Sequence, residues 1–367
     1  MAADTTQKFT VTPSPHLKAP FNVRMVMYLV VAALTPALAG AVYFYGWYVL
    51  FLVGLAVATG ILSEFLMNLA FKRPLASCLD GSAIITGILL VYNIPPSAPW
   101  WLAVAGTAFA VIIVKALFGG LGNNFLNPAL AGRAFLMASW PTIMTSNWYI
   151  RQGIGTPSGI PLGVENLTGA AIPVDTTYHG IQAITGATPL GVVQKLKTVT
   201  DPALLEGAKS ALNDPATLKA LFLGNIGGVV GETSALLLLV PAILLILIRV
   251  IDWRIPFAYI GTVALGTLVA WLFKATPVTP LFHLLSGGLM LGALFMATDY
   301  TTSPVTPTGQ WVFGIGCGIL TVLIRLWGGY PEGVSYSILL MNVATPLIDR
   351  FTRPRILGEK KKKKEAK

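Results

Sequence analysis

The chain has 367 residues, of which 54% are hydrophobic and only 11% charged, and its mean hydropathy is +0.71. So few charges cannot cover a water-soluble protein of this length, and the apolar stretches reach about 20 residues, enough to cross a bilayer core. The formal net charge is +10, but basic residues concentrate beside the ends of apolar stretches and in the tail from Lys360 to Lys364. This distribution is typical of membrane orientation and argues against nucleic acid as a partner.

The start of the chain has no pattern typical of a cleavable signal peptide. Residues 1–20 are polar and contain prolines, and the first apolar run, from about Met25, is long enough to span the membrane. The two cysteines, Cys78 and Cys317, are too few to hold an iron–sulfur cluster or a structural zinc by themselves. Packing is therefore the favoured role for both, with a shared cluster at a subunit interface left open.

Ten apolar segments predict an all-α polytopic membrane protein with about ten transmembrane helices. The predicted spans are residues 25–45, 47–70, 80–95, 100–118, 125–142, 231–251, 257–275, 283–299, 309–327 and 333–351. They divide the chain into an N-terminal segment (1–24), a first five-span repeat (25–145), a polar loop (146–229), a second five-span repeat (230–351) and a basic tail (352–367).

The positive-inside rule orients these spans. Basic residues follow the second, sixth and tenth spans, for example at Lys72, Arg249 and Arg350, whereas the short connection 93–99 has none. Cytoplasmic loops carry the excess of Lys and Arg, so both termini are predicted to face the cytoplasm of a bacterial cell, across its cytoplasmic (inner) membrane.

The same orientation places the polar loop 146–229 outside the cytoplasm. Its lysines are no objection, because long loops are translocated regardless of charge. Lys274 and Arg325 fall on the non-cytoplasmic side and count against the assignment. The loop is rich in Gly, Pro and Thr, so we expect irregular structure with a few short helices, of which 201–221 is the best candidate.

The two halves of the membrane part resemble each other. Residues 79–82 (Leu-Asp-Gly-Ser) open a series that continues with a proline-rich turn, a tryptophan, a span and a Gly-Gly pair, and residues 285–288 (Leu-Ser-Gly-Gly) open a matching series. The paired positions are Trp101 and Trp311, and Gly119-Gly120 and Gly328-Gly329. Five spans per repeat is an odd number, so the second repeat should be inverted, with ligand sites between the halves. Chance similarity between leucine- and glycine-rich segments is the alternative.

Residues 118–135 (Phe-Gly-Gly-Leu-Gly-Asn-Asn-Phe-Leu-Asn-Pro-Ala-Leu-Ala-Gly-Arg-Ala-Phe) have the character of an interrupted helix lining an enclosed cavity. The glycines allow close backbone approach, and Pro128 suits a helix start. Asn123, Asn124 and Asn127 carry amides that both donate and accept hydrogen bonds, which suits a heterocyclic ligand. A polar cap and loop at the cytoplasmic rim is the alternative interpretation.

Other charged residues lie within or beside the spans. Glu64 and Asp80 could coordinate an ion, but pairing with a basic residue such as Lys72 or Arg133 explains them equally well. The histidines are scattered without the spacing of metal ligands, and no catalytic triad, phosphate-binding loop or dinucleotide fingerprint is present. We therefore predict no metal site and no catalytic residue in this chain.

Several motifs, in their order and spacing, resemble a known family. They are Ser63-Glu64-Phe65, Lys72-Arg73-Pro74, Asp80-Gly-Ser-Ala-Ile-Ile-Thr86, the 118–135 segment, Ala138-Ser-Trp-Pro141 and Thr185-Gly-Ala-Thr188. The family contains the D subunit of the Rnf ion-translocating ferredoxin:NAD oxidoreductase and the B subunit of the sodium-translocating NADH:quinone reductase. The resemblance covers all ten predicted spans.

This resemblance implies two flavins. FMN is expected as a phosphoester on Thr188, installed by a separate flavin transferase, although Gln182 stands where such motifs usually have an acid. Riboflavin is expected without a covalent bond inside the membrane part, with Asn124, Asn127 and Asp299 as candidate contacts. For Asp299 a solvated carboxylate at the cytoplasmic rim is the alternative, since a buried charge is costly.

The implied function is electron transfer between ferredoxin and NAD partner subunits, coupled to Na⁺ or H⁺ translocation. Iron–sulfur and FMN subunits of the same membrane complex are the expected partners. About 24 residues precede the first span, which favours the Rnf D-type protein over the quinone reductase B-type protein with its longer extension. A flavin-free secondary transporter is the alternative from a different class.

Overall fold

A computed structural model describes residues 22–75, 78, 80–145, 149–151, 176–178, 181–185, 188–196, 202–224, 227–232, 234–329 and 332–353. The membrane part is helical and the elements fall into two halves. The first half contains α1 (Val23–Tyr45), α2 (Tyr48–Ala70), α3 (Ser82–Tyr92), α4 (Trp100–Phe109, continued by a π-helical segment Ala110–Ala116), α5 (Pro128–Ser139) and the short α6 (Pro141–Thr145).

The second half also consists of helices. It contains α10 (Ala235–Leu247), α11 (Arg254–Leu272), α12 (Pro280–Leu285), α13 (Leu289–Leu291, continued by a π-helical segment Gly292–Met296), α14 (Pro307–Trp327) and α15 (Val334–Phe351). The described part of the segment between the halves contains three short strands and three helices, β1 (Tyr149–Arg151), β2 (Thr176–Tyr178), β3 (Ile181–Thr185), α7 (Pro189–Leu196), α8 (Pro202–Asn213) and α9 (Pro215–Leu223).

Each predicted span contains a helix, but the helices differ in length. Among the residues that the structure describes, four helices are long and apolar enough to cross a membrane, namely α1, α2, α11 and α14. The helix α3 has 11 residues, which corresponds to about 16 Å and is well short of a bilayer core. The helical nature of the membrane part is therefore confirmed, while the number of spans stays a prediction.

The predicted span 283–299 differs most from the structure, because two helices share it. Ser286 is extended (φ −95°, ψ 146°) and Gly287 has φ +71°, a conformation that favours glycine and ends α12 before α13 begins. Hydropathy does not reveal such a break, because the segment is apolar throughout.

Left-handed backbone occurs at matching points of both halves. It occurs after the first helix of each half, after the second helix, and directly before α3 or shortly before α13. The pairs are Gly46 (φ 90°) and Arg249 (59°), Lys72 (55°) and Lys274 (58°), and Gly81 (91°) and Gly287 (71°). The halves therefore share turn geometry at three points, including at residues other than glycine, where this conformation is uncommon.

Small residues allow the helices within each half to pack closely. A Cβ atom on Gly87 of α3 would lie only 3.0 Å from the backbone nitrogen of Val57 in α2. In the second half, Cβ atoms on Gly314 and Gly318 of α14 would lie 2.7 Å from Ala258 and 2.5 Å from Thr262 of α11. Such contacts are the usual way in which membrane helices approach one another.

The loop between the halves has more regular structure than its sequence predicts. The helix predicted over 201–221 is two helices, α8 and α9, divided at Asp214, whose side chain caps α9 by accepting the N–H of Ala216 (3.2 Å) ahead of Pro215. The strands form an antiparallel sheet in the order β1-β3-β2. The sequence does not predict this sheet, because three- to five-residue strands leave little periodic signal.

Candidate functional site

A cavity lies between the two halves of the membrane part. Its volume, including the part open to solvent, is about 790 Å³. It is bounded by α1, α3, the π-helical end of α4, the start of α5 and the segment that follows α13. Asn124, Asn127 and Asp299 all line it, so the structure brings together three residues that are up to 175 positions apart in the chain.

Asn124 has an unused hydrogen-bond acceptor in this cavity. Its side chain is buried, and its Nδ2 donates to the carbonyl oxygen of Leu126 (3.3 Å). Its Oδ1 is buried with no hydrogen-bond partner among the described residues. An unsatisfied buried amide oxygen is costly, so Asn124 is suited to accept a hydrogen bond from a ligand.

Asn127 is the N-cap of α5. Its Oδ1 accepts the backbone N–H groups of Ala129 (3.1 Å) and Leu130 (3.3 Å), and its Nδ2 donates to the carbonyl oxygen of Met296 in the second half (3.1 Å). This side chain therefore starts a helix and joins the two halves. Because Oδ1 of Asn127 already accepts two hydrogen bonds from the chain, it is less able than Oδ1 of Asn124 to accept a hydrogen bond from a ligand.

Asp299 follows the π-helical segment of α13 and is half-buried. Its Oδ2 accepts hydrogen bonds from the hydroxyl groups of Thr301 (2.9 Å) and Thr302 (3.2 Å). The carboxylate is thus held by a local turn at the edge of the cavity.

Lys115 also lines the cavity, and sequence reasoning missed it. Its ammonium group pairs with Glu64 Oε1 at 2.8 Å and donates to Ser82 Oγ at 2.5 Å, and both charged side chains are almost fully buried. Of the two alternatives for Glu64, pairing with a basic residue is therefore observed, but the partner is Lys115 and not Lys72 or Arg133. The sequence signal that could have identified Lys115 is its position as a single lysine within an otherwise apolar span, which rarely occurs without a buried acid nearby.

Asp80 is held by a neighbouring serine and forms no ion pair with a described residue. Its Oδ1 accepts the backbone N–H (2.8 Å) and the hydroxyl group (2.5 Å) of Ser82. Ser82 therefore connects Asp80 to Lys115 at the N-terminus of α3.

Two buried arginines join segments that lie far apart in the chain. Arg133 of α5 donates to Asn93 Oδ1 (2.9 Å) and Ser335 Oγ (2.8 Å) and pairs with Glu332. Arg325 of α14 donates to the carbonyl oxygen atoms of His283 (2.5 Å) and Ser286 (3.1 Å), beside the break between α12 and α13. Arg325 is therefore a buried structural residue, and it does not count against the predicted orientation.

The two cysteines are buried. Cys78 accepts a hydrogen bond from Asn68 Nδ2 (3.3 Å), and Cys317 lies in the hydrophobic core of the membrane part. Both environments are those of packing residues.

Thr188 immediately precedes α7, and its hydroxyl oxygen accepts the backbone N–H of Gly191 (3.2 Å). Together with Pro189 at the first helical position, this is the arrangement of an N-cap. The helix α7 is docked on the second half: Gln194 donates to the carbonyl oxygen of Gly329 (2.6 Å), and a Cβ atom on Gly287 would meet Leu190 at 2.5 Å. Residues 186 and 187 of the Thr-Gly-Ala-Thr motif lie outside the described residues.

The profile of the NQR2, RnfD, RnfE family matches residues 10–358, which is nearly the whole chain. The chain belongs to the NQR2, RnfD, RnfE family. The D subunit of the Na⁺-translocating ferredoxin:NAD⁺ oxidoreductase complex of Acetobacterium woodii is 45% identical over 360 residues, which cover 98% of both chains. The family predicted from the motifs is therefore confirmed.

Other members of the NQR2, RnfD, RnfE family are similar over almost the same length. The D subunit of the proton-translocating ferredoxin:NAD⁺ oxidoreductase complex of Clostridium ljungdahlii is 40% identical, covering 96% of this chain and 97% of its own. The D subunit of an ion-translocating oxidoreductase complex of Stutzerimonas stutzeri is 41% identical over 92% of both chains. All three relatives belong to oxidoreductase complexes, and the ions in their names differ.

The two asparagines differ in bonding, and substitutions should therefore affect them differently. Asn124→Leu removes an acceptor that no described protein group uses and a donor whose described partner is the carbonyl oxygen of Leu126, so the chain should still fold. A heterocycle bound in the cavity would lose a hydrogen bond worth about 1–3 kcal/mol, or roughly ten- to hundredfold in affinity. Riboflavin extracted from the purified variant by mild acid should fall accordingly. Asn127→Leu should also lower thermal stability, because it removes the α5 cap. Wild-type levels of extractable flavin in Asn124→Leu would exclude Asn124 as a contact.

Proposed function

We propose that this chain is the flavin-carrying membrane subunit of an ion-translocating ferredoxin:NAD oxidoreductase complex. FMN is esterified to Thr188, and riboflavin is held without a covalent bond in the cavity between the halves. The observation that carries the proposal is the position of Thr188 at the N-terminus of a docked helix. It is supported by the similarity of the chain, over its full length, to the D subunits of such complexes.

The position of Thr188 suits a phosphoester. Backbone N–H groups at a helix N-terminus and the helix dipole favour a negative charge there. The N–H of Gly191 donates to the threonine oxygen, so it could donate instead to a phosphate oxygen attached to that oxygen. Because α7 rests on Gly287 and Gly329, a flavin tethered at Thr188 would stay beside the membrane part.

The cavity suits the ring system of riboflavin. Its walls are mainly apolar, and the open Oδ1 of Asn124 matches the N–H donor on the pyrimidine edge of the flavin. Asn127 fixes the start of α5 beside it, and Asp299 lies at the edge. When bound, riboflavin would supply one- and two-electron exchange at this position.

Other subunits must handle the soluble substrates. The sequence contains no dinucleotide fingerprint and no cysteine set for a cluster, so NAD and ferredoxin require iron–sulfur and FMN subunits of the same complex, and a flavin transferase is needed for maturation. The coupled ion is Na⁺ or H⁺, because relatives named for each are similarly close.

We further propose about ten spans in two inverted repeats, with both termini in the cytoplasm of a bacterial cell. The matching turn geometry of the two halves supports the repeats. The loop helices contact two connections of the second half that the topology places outside the cytoplasm, which supports the same side for the loop. Gln194 of α7 bonds Gly329, and Asn213 at the end of α8 bonds Pro277 and Thr279. The cavity residues Asn124 and Asp299 would then lie toward the cytoplasm.

Cysteine labelling tests this orientation. Gly207 in α8 is exposed with open space around it, and Val305 between α13 and α14 is 80% exposed. Gly207→Cys is expected to react with an impermeant thiol reagent in intact cells, and Val305→Cys only after lysis. The native cysteines are buried and serve as the background control. The opposite labelling pattern would invert the proposed topology.

Flavin fluorescence after denaturing electrophoresis tests the function. Covalent FMN survives denaturation, so the wild-type chain produced with its flavin transferase is expected to fluoresce, whereas a flavin-free secondary transporter would stay dark. Activity of the isolated complex separates the two family functions. Reduced ferredoxin should reduce NAD⁺, and reduction of quinone by NADH instead would identify the quinone reductase alternative.

A further inference from the structure

Lys115 gives the cavity a positive charge next to a helix N-terminus. Among the described residues that line the cavity, it is the one with a cationic side chain. We propose that Lys115 makes the cavity prefer a flavin in its reduced, anionic form and thereby raises the reduction potential of the flavin bound there. The inference rests on the proposed riboflavin site, and it concerns which redox state that site favours.

The ammonium group of Lys115 has one donor to spare. An ammonium has three N–H donors. One is used by Glu64 Oε1 and one by Ser82 Oγ, and no further acceptor for Lys115 is found among the described residues. The third N–H is therefore available to a ligand in the cavity that Lys115 lines.

The position of this charge is fixed from two sides. Ser82 accepts from Lys115 while its own hydroxyl group donates to Asp80, so three side chains form a continuous chain of hydrogen bonds. Glu64 holds the ammonium group through one carboxylate oxygen, and its other oxygen, Oε2, is buried without a described partner. A charge held in this way needs no rearrangement when a ligand changes its own charge.

Lys115 and Ser82 line the cavity, and Glu64 is not among the residues that line it. A ligand in the cavity would therefore contact the ammonium group rather than the carboxylate that pairs with it. Ser82 also begins α3, whose N-terminal dipole adds to the positive potential. Two carboxylates oppose this potential, Asp299 on the cavity wall and Asp80 beside Ser82. Hydroxyl groups of Thr301 and Thr302 hold the Asp299 carboxylate in a local turn, whereas the free N–H of Lys115 can bond a ligand directly.

Reduction changes the charge of a flavin in this cavity. A flavin bound here would gain two electrons, supplied by the partner subunits, and one proton from water on reduction, so it would carry one negative charge. A nearby cation in a low-dielectric cavity stabilises the reduced form and leaves the neutral form nearly unaffected. A tenfold change in the ratio of the two dissociation constants corresponds to about 30 mV in the potential of this two-electron couple.

The experiment uses the full-length chain with Thr188→Val, so that cavity-bound riboflavin is the only flavin. Its reduction potential is measured at pH 7 against a reference dye in four variants. Glu64→Gln keeps the cation and removes its counter-charge, Lys115→Arg keeps the cation, Lys115→Met removes it, and the double variant Lys115→Met/Glu64→Gln removes both charges. The double variant avoids a lone buried carboxylate, so it tests the proposal even if Lys115→Met alone fails to fold.

We expect the potential to be highest in Glu64→Gln, near the parent value in Lys115→Arg, lower in the double variant and lowest in Lys115→Met. In the double variant the preference for reduced over oxidised riboflavin should fall about ten- to hundredfold. Loss of a merely structural ion pair would move Glu64→Gln and Lys115→Met in the same direction, and that outcome, or equal potentials in all variants, would overturn the proposal. Absence of riboflavin binding in the parent chain would instead overturn the flavin site itself.

Discussion

The Thr188→Val chain is expected to be dark after denaturing electrophoresis, at wild-type abundance in the membrane. Valine keeps the shape of threonine but lacks the oxygen on which the proposed phosphoester forms, so the loss of covalent flavin should be complete. The substitution also removes the acceptor for the N–H of Gly191. Loss of an N-cap costs about 1 kcal/mol, which is too little to unfold the membrane part.

Thr185→Val is the matched control. Thr185 belongs to the same motif but ends β3, three residues before the cap of α7. Its replacement should leave fluorescence near the wild-type level. Fluorescence that persists in Thr188→Val, or that disappears in Thr185→Val while Thr188 is intact, would move the attachment site away from Thr188.

Arg133→Met is expected to destabilise the chain by about 3–5 kcal/mol, because breaking a buried ion pair leaves its partner charge uncompensated. Arg133 is about 95% buried and connects Asn93 and Ser335 through hydrogen bonds, in addition to its pair with Glu332. The measurement is unfolding in mixed micelles with increasing sodium dodecyl sulfate, followed by circular dichroism. The transition should move to a clearly lower detergent fraction.

Arg254→Met is the control for this prediction. Arg254 pairs with Asp252 at 2.7 Å, but both side chains are about a third exposed, so the pair should contribute at most about 1 kcal/mol. Adding Glu332→Gln to Arg133→Met should recover part of the lost stability, since the unpaired charge is then removed. Equal effects of Arg133→Met and Arg254→Met would show that Arg133 does not hold the two halves together.

The helices could be predicted from the sequence because hydropathy and helix ends are local signals. The predicted span 309–327 agrees with α14 (Pro307–Trp327) except at its start. The prediction omits the first two helical residues, of which the first is a proline that follows the N-cap Thr306. The break before α13 could not be predicted, because Ser286 and Gly287 lie within an apolar run and glycine is common in membrane helices.

The partners of buried charges could not be predicted, because they are set by packing between distant segments. Glu64 and Lys115 are 51 residues apart, and Arg133 and Glu332 are 199 apart. No short-range rule connects such pairs, so the sequence could suggest that Glu64 pairs with a basic residue but not that the residue is Lys115.

The asparagines of the 118–135 segment look equivalent in sequence, and their roles differ in the structure. Asn127 precedes Pro128, and Asn-Pro at a helix start is a pattern of an N-cap, so its capping role was accessible from the sequence. The open Oδ1 of Asn124 was not, because it depends on which groups fill the space around it.

Peptide mapping of the wild-type chain tests covalent flavin attachment most directly. The chain is produced with its flavin transferase, digested, and analysed by mass spectrometry with fragmentation. The peptide that contains Thr185 and Thr188 is expected to carry the mass of FMN less one water, with fragment ions that place the addition on Thr188. An unmodified peptide from fully matured membranes, or an addition on Thr185, would contradict the assignment of Thr188 as the residue that makes this chain an electron carrier.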